Sequence, residues 1–206
     1  MKLVIHPITW ESTILNEVWR LYRASFPKEE RVRLEDYLND PIGNVEILGF
    51  YEESKESHKD EESLEDKSVW KSKADRKEQK ETFIGFAIFM TYFNLTHILY
   101  FCIEENFRQQ GYGSAALAAM REYYPHNRIM ADLEDPVPGA SNLEERKRRI
   151  AFYERNGYTL SNVHYVWEKE NYVMMVQGGS LTMEEFEAYW DAANQDRGVG
   201  YERMEE

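Results

Sequence analysis

Apolar and polar positions alternate along the chain in a way that predicts strands and helices in turn. "LVIHPIT" at 3–9 reads as an opening strand. Ile14, Leu15, Val18, Leu21 and Tyr22 then recur at the helical period until "SFPKEE" interrupts them. A second strand runs from Val45 to about Glu52, a third starts near Thr82 with "TFIGFAIFMTYF", and "HILYFCI" at 97–103 is a fourth. In the helix that follows, Tyr112, Ala115, Ala116, Ala119, Met120 and Tyr123 keep the i, i+3, i+4 spacing. "RIMADLEDP" at 128–136 is a fifth strand ended by proline.

Residues 142–158 predict a further helix. Glu144 and Glu145 fall in its first turn, where the positive end of the helix dipole favours them, and Gly157 stands where a left-handed cap closes such a helix. "TLSNVHYVWEK" and "YVMMVQGG" read as a closing antiparallel pair. Thr182 and Glu185 have the spacing of a capping box ahead of Phe186, Tyr189, Trp190 and Ala193, which predicts a terminal amphipathic helix over about 182–195. The order is a meander of strands, then β-α-β-α-β, then a helix, with no internal repeat.

Between the second and third strands, residues 53–81 are nearly all charged or polar, with Leu64, Val69 and Trp70 as their large apolar side chains. Such a stretch buries too little to offset its ordering entropy, so it reads as a solvated insertion extending a β-hairpin. A length of 206 residues suits one sizeable core, and the expectation is a single α/β (α+β) domain over 1–206 carrying that insertion. Net charge is −13, from 38 acidic and 25 basic residues, which argues against a phosphate-backbone footprint and so against nucleic acid as partner. Cys102, the one cysteine, excludes an internal disulfide framework, and "ILYFCIEE" around it reads as a buried strand holding an inert thiol. "MKLVIHPITWES" lacks a signal-peptide core and no apolar run approaches the roughly 20 residues of a membrane span, so the expected partners exclude a membrane and the expected location is the cytoplasm.

The stretch with candidate chemistry is "RQQGYGSAALAAM", which passes from a strand through two glycines into a helix. No Lys-Ser/Thr pair follows it, so it is not a P-loop, and two glycines at this spacing are not the dinucleotide G-x-G-x-x-G. What remains is a tight turn whose N–H groups point into one concavity at a helix N-terminus, an arrangement suited to an anion. Gly111 and Gly113 remove side chains that would obstruct a close diphosphate, and Ser114, Ala115 and Ala116 let the helix lie near the sheet.

Arg108-Gln109-Gln110-Gly111-Tyr112-Gly113 resembles the R/Q-x-x-G-x-G/A signature of the GNAT superfamily of N-acetyltransferases, and "RRIAFYERNGY" resembles that family's second landmark, a helix ending A-x-x-F/L-Y-x-x-x-G-F/Y before a strand. The likeness covers roughly residues 83–177, and the opening strand and helix fit it. It implies a GNAT-like acyl-CoA N-acyltransferase fold, a mixed central sheet flanked by helices, with an acetyl-CoA site. In such folds residues equivalent to Arg108, Gln109, Gln110, Gly111, Tyr112, Gly113 and Ser114 cradle the CoA diphosphate. The preceding strand splays from its neighbour, and backbone groups near Ile103 hold the pantetheine arm and thioester carbonyl.

The resemblance further implies that Tyr153 is a general acid toward the departing CoA thiolate. Glu104, Glu105 and Glu134, at strand ends, are candidates for the base that relieves the attacking ammonium of a proton. Transfer is expected to be direct, from acetyl-CoA to a primary amine of a small molecule, without metal, because His6, His58, His97, His126 and His164 lack metal-ligand spacing. Where relatives often carry asparagine and alanine, this chain has Arg146 and Arg149, and Arg146-Lys147-Arg148-Arg149 reads as a solvated basic face. "SFPKEERVRLEDYLNDP" corresponds to the acceptor side in relatives. Oligomers are common in this superfamily, which leaves room for a homodimer. The alternative function is a non-catalytic domain that binds CoA as a regulatory or structural ligand.

Overall fold

The computed structural model describes residues 1–28, 30–53, 81–167, 169–197 and 202–203. The charged insertion expected at about 53–81 lies, from residue 54 to residue 80, outside the described residues. In chain order the elements are β1 (Val4–Pro7), α1 (Leu15–Ser25), α2 (Leu34–Leu38), β2 (Val45–Glu53), β3 (Glu81–Tyr92), β4 (Leu95–Ile103), α3 (Tyr112–Tyr123), β5 (Arg128–Glu134), α4 (Leu143–Arg155), β6 (Thr159–Trp167), β7 (Glu170–Gln177), α5 (Met183–Arg197) and the two-residue β8 (Glu202–Arg203). The strands form one sheet in the order β1-β2-β3-β4-β5-β7-β6-β8. Every neighbouring pair is antiparallel except β4 and β5, which are parallel.

Side-chain alternation along the strands sorts the core onto two faces. Leu48, Phe50, Ala87, Phe89, Ile98, Ile129, Ala131 and Leu133 pack against Ala116, Leu117 and Met120 of α3 and Tyr153 of α4. On the opposite face Ile47, Phe86, Ile88 and Cys102 meet Val18, Leu21 and Tyr22 of α1, while Met90, Met130, Met174 and Val176 meet Phe186, Tyr189 and Trp190 of α5. The terminal helix therefore covers its own sheet, and its fully buried Phe186 and Tyr189 contribute about 2 kcal/mol apiece from apolar area alone. The thiol of Cys102 is buried, and that burial pushes it up to about 12, as befits an inert core group.

Two local motifs close the helices as their sequences dictate. Gly157, at φ +82°, allows Gly157 N–H to bond Glu154 O and Tyr158 N–H to bond Tyr153 O, a Schellman ending to α4. Thr182 N–H donates to Glu185 Oε2 at 3.1 Å while Glu185 N–H donates to Thr182 Oγ1 at 3.3 Å, a reciprocal capping box. Helix α2 lies within the segment that the sequence leaves without an assigned element.

One glycine is fixed by close backbone approach. A Cβ at Gly85 of β3 would lie 2.3 Å from the carbonyl oxygen of Cys102 and 3.0 Å from Cα of Ile103. Both are backbone atoms of β4, which cannot rotate aside. Gly85→Ala is therefore expected to destabilise the fold by about 2 kcal/mol, within the range of overpacked cores, read as a lower thermal midpoint. An unchanged midpoint would mean that β3 and β4 separate there without cost.

Candidate functional site

The central feature is a fork in the sheet. β4 and β5 pair only from Leu95–Arg128 to Ile98–Ala131, although β4 runs on to Ile103 and β5 to Glu134. The ladder between β3 and β4 changes register at the same level: Phe89 opposes Ile98 but Ile88 opposes Tyr100, which leaves Leu99 as the extra residue of a bulge. A bulge bends and twists its strand. Here it places Leu99 and Tyr100 both on the α1 and α5 face, and the strands part immediately beyond it.

At the end of β4 the chain turns through Glu105–Phe107 into α3. Gln109, at φ +61°, and Gly111, at φ +89° and ψ −5°, both take left-handed conformations, which L side chains other than Asn and Asp seldom adopt. Arg108 Nε donates to the Ile103 carbonyl at 2.9 Å, Gln110 Nε2 to the Asn106 carbonyl at 2.6 Å, and the Tyr112 hydroxyl to Glu52 Oε2 at 2.7 Å. Arg108 and Gln110 thus brace the turn, and Tyr112 ties α3 to the end of β2. Helix α3 has no side chain capping its N-terminus and no acidic residue in its first turn, so its leading N–H groups, around Gly113 and Ser114, lack both. A Cβ at Gly111 would meet nothing within 4 Å, so the turn is open there, whereas one at Gly113 would lie 3.2 Å from the Phe152 ring. Gly113 lets α3 approach α4 at Phe152, the residue before Tyr153.

Tyr153 is 8% exposed and packs edge-on against the Phe152 and Tyr158 rings at 5.4 and 5.1 Å. Among the described residues its hydroxyl has no hydrogen-bond partner. Burial pushes this phenol up to about 12, with Arg149 pulling down and Asp132 adding to the rise, so it is a protonated donor at neutral pH. The basic run ahead of it does not form one solvated face. Arg146 is only 6% exposed: its Nε donates to Asn142 Oδ1 at 2.6 Å, Nη1 to the Asp135 carbonyl at 2.9 Å, and Nη2 reaches Glu134 and Glu170 at 3.1 Å each. A buried guanidinium needs such partners, and those available come from the ends of β5 and β7. Lys147, Arg148 and Arg149 stay in solvent, Arg149 pairing with Glu134 at 3.2 Å.

The three carboxylates singled out by sequence are dispersed. Glu134 is held by Arg146 and Arg149, Glu104 pairs with Arg20 of α1, and Glu105 is exposed in the turn. A group that sequence reasoning missed sits in the fork itself. Asp132 is the first residue of β5 beyond the last rung, and it shares its face with Glu134, Leu99 and Tyr100. His97 Nε2 lies 2.6 Å from Asp132 Oδ1, and the Tyr165 hydroxyl donates to Oδ2 at 3.0 Å. Burial pushes this carboxyl up, but the hydrogen bond and charge of His97 and the bond from Tyr165 outweigh it and hold Asp132 below the usual range. Nothing short of three-dimensional contact joins these residues, since each lies in a different strand. Among the described residues no cluster of three or more His, Cys, Asp or Glu side chains is placed to hold a metal, and no helix is long and apolar enough to cross a membrane.

Residues 69–160 match the family model described as an acetyltransferase (GNAT) domain. A Bacteroides thetaiotaomicron protein described as an acetyltransferase of the GNAT family superposes with a TM-score of 0.66 at 23% identity, over 96% of this chain and 99% of that one. The chain has the GNAT fold. A chimera of the spermidine N-acetyltransferase SpeG from Vibrio cholerae superposes on this chain with a TM-score of 0.54 at 13% identity, over 86% of it and 96% of the chimera. An aminoglycoside 6'-N-acetyltransferase complexed with coenzyme A gives 0.53 at 14%, over 84% of this chain and 96% of the other. No curated protein matches the sequence. At these identities the solved structures speak for the GNAT architecture alone, and the forked sheet and the turn at Gly111 are features of this chain's own geometry.

Proposed function

We propose that the protein transfers the acetyl group of acetyl-CoA directly to a primary amine of a small molecule. The observation that carries this reading is the fork in the sheet, joined by an uncapped helix N-terminus at Gly111 and a buried, protonated Tyr153 hydroxyl without a partner among the described residues. Acetyl-CoA fits what the residues offer: N–H groups of Gln110 to Ser114 for a diphosphate, open space at Gly111, and strand edges beyond Ile98 for an extended chain bearing amides. As co-substrate it supplies the thioester that the amine attacks.

The chain's residues then have separable tasks. Arg108 and Gln110 hold the turn, so the donors at the start of α3 are preorganised before any ligand arrives. The amine nitrogen bonds to the thioester carbon as the carbon–sulfur bond breaks; Tyr153 gives a proton to the sulfur, and the protons the nitrogen loses pass to water, directly or through Glu104, Glu105 or Glu134 as base, which restores the phenol. Carboxylates on the opposite face favour a cationic acceptor, consistent with a net charge of −13. The amine approaches from the face of α1, α2 and α5, where Tyr100 donates to the Glu30 carbonyl and Tyr22 to the Val32 carbonyl, fixing the α1–α2 segment over the fork.

The test is calorimetry with acetyl-CoA and CoA, followed by thiol release across a panel of primary amines. Saturable binding with amine-dependent release is the expected result. Binding without release from any amine would favour a non-catalytic CoA-binding domain, and absence of binding would defeat the reading.

A further inference from the structure

The extra residue in β4 decides which way Tyr100 points. Phe89 and Ile98, opposite each other in the β3–β4 ladder, belong to the α3 face, and strict alternation beyond Ile98 would send Tyr100 there too. With Leu99 bulged, Tyr100 instead stands opposite Ile88 and packs with Val18, Leu21 and Tyr22 on the α1 face. It lies two residues past the last β4–β5 rung, at the lip of the fork.

Three rings meet Tyr100 edge-on: Tyr22 at 5.0 Å, Phe26 at 4.9 Å and Tyr37 of α2 at 6.1 Å. Its hydroxyl, so fixed, meets one short piece of backbone twice. It donates to the Glu30 carbonyl at 2.5 Å and accepts from the Val32 N–H at 3.4 Å, while the Tyr22 hydroxyl donates to the Val32 carbonyl at 3.0 Å. Glu30 also reaches toward the far side of the fork. Burial first, then the charges of Asp132, Glu30, Glu134 and Glu170, push the phenol of Tyr172 up to about 12, and Tyr172 belongs to β7, beyond β5 in the sheet. Residues 30–32 therefore lie over the gap and are tied to its β4 side by Tyr100.

We propose that Tyr100 is a positioning residue for the acceptor: its hydroxyl holds residues 30–32 across the fork as the wall an entering amine meets, and so sets amine affinity apart from acetyl-CoA affinity and from the chemical step. The inference rests on the transfer reading, whose amine enters from this face. Tyr112 of the glycine turn and Tyr153 pack on the opposite face, so loss of the hydroxyl leaves both in place. Hydrogen bonds of this kind, each modest in net terms, make a difference of about threefold to tenfold in what depends on the order they impose.

The probe is n-butylamine, a primary amine with a plain apolar chain, used with acetyl-CoA in thiol release and with CoA in calorimetry on the full chain. Tyr100→Phe keeps the three ring contacts, so the thermal midpoint should hold. KM for n-butylamine should rise about threefold to tenfold, with kcat and the Kd of CoA within about twofold of wild type. The Val32 amide should exchange faster in deuterated water. Tyr22→Phe, which loses a single bond to the same segment, should raise KM in the same direction by less, and it decides the matter should Tyr100→Phe not fold. An unchanged KM in the folded variant, or a loss shared equally by kcat or by CoA affinity, would overturn the role. Where n-butylamine binds the CoA-loaded chain without being acetylated, its Kd takes the place of KM in the same comparison. A wild-type chain that does not bind n-butylamine at all would overturn the inference. Failure of CoA to bind would count against acetyl transfer, while the amine titration of the free chain would still decide the role of Tyr100.

Discussion

Tyr153→Phe is expected to lower kcat by a few hundredfold while acetyl-CoA and CoA bind as tightly as before. The size follows from the usual contribution of a positioned general acid, about two to four orders of magnitude. The separation of turnover from affinity follows from the geometry. The phenol oxygen makes no hydrogen bond within the described structure, so its removal leaves nothing unpaired, and phenylalanine retains the edge contacts to Phe152 and Tyr158. Stability should therefore change by well under about 1 kcal/mol. Because burial holds this phenol up at about 12, it is a full donor across the working pH range, so its titration should not shape the pH profile below that value. The measurement is thiol release at saturating amine, paired with CoA calorimetry on the same preparation. Unchanged turnover would remove Tyr153 from the chemistry.

The largest loss of stability from one surface-helix residue is expected at Arg146. Arg146→Ala strips partners from Glu134, Glu170, Asn142 and the Asp135 carbonyl at once. Breaking a buried ion pair typically costs 3–5 kcal/mol. The expectation here is about 3 kcal/mol, at the lower end, because Glu170 is half exposed and Arg149 still reaches Glu134. Urea unfolding measures it. Glu170→Gln is the control: its exposure predicts a cost below about 1 kcal/mol. A small effect of Arg146→Ala would mean that the network forms without contributing to folding. Arg146 also lies two helical turns before Tyr153, so loosening it should lower kcat through misplacement of the phenol rather than through CoA affinity.

These two residues show what could be read from the chain and what could not. The cap at Gly157 and the box of Thr182 and Glu185 were legible because every partner lies within a few residues and the backbone geometry is local. The glycine turn was legible for the same reason, and the resemblance carried by it and by "AFYERNGY" led to the fold. Arg146 was misread as part of a solvated face because its charged partners, Glu134 and Glu170, belong to β5 and β7, separations no helical periodicity encodes. Asp132 and His97 were invisible as a pair because 35 residues separate them and only the parallel ladder sets them side by side. Leu99 reads as one more apolar strand residue. Its role as the extra residue of a bulge depends on register, which apolar pattern alone does not determine. Gly113 was expected to clear space for a diphosphate, and the contact the structure shows is with Phe152.

The early end of the β4–β5 ladder makes the fork its own reporter. Backbone amides on the facing edges past Ile98 and Ala131 have no rung to protect them, whereas those of Thr96 to Ile98 sit in a paired and buried stretch. In deuterated water the β4 amides that face the gap should therefore label faster in the free protein than those paired with β5 or, beyond Ile98, with β3, and the difference should shrink when a ligand occupies the gap. A sheet that stops pairing halfway thus carries a built-in gauge of occupancy, readable amide by amide without any assay of chemistry.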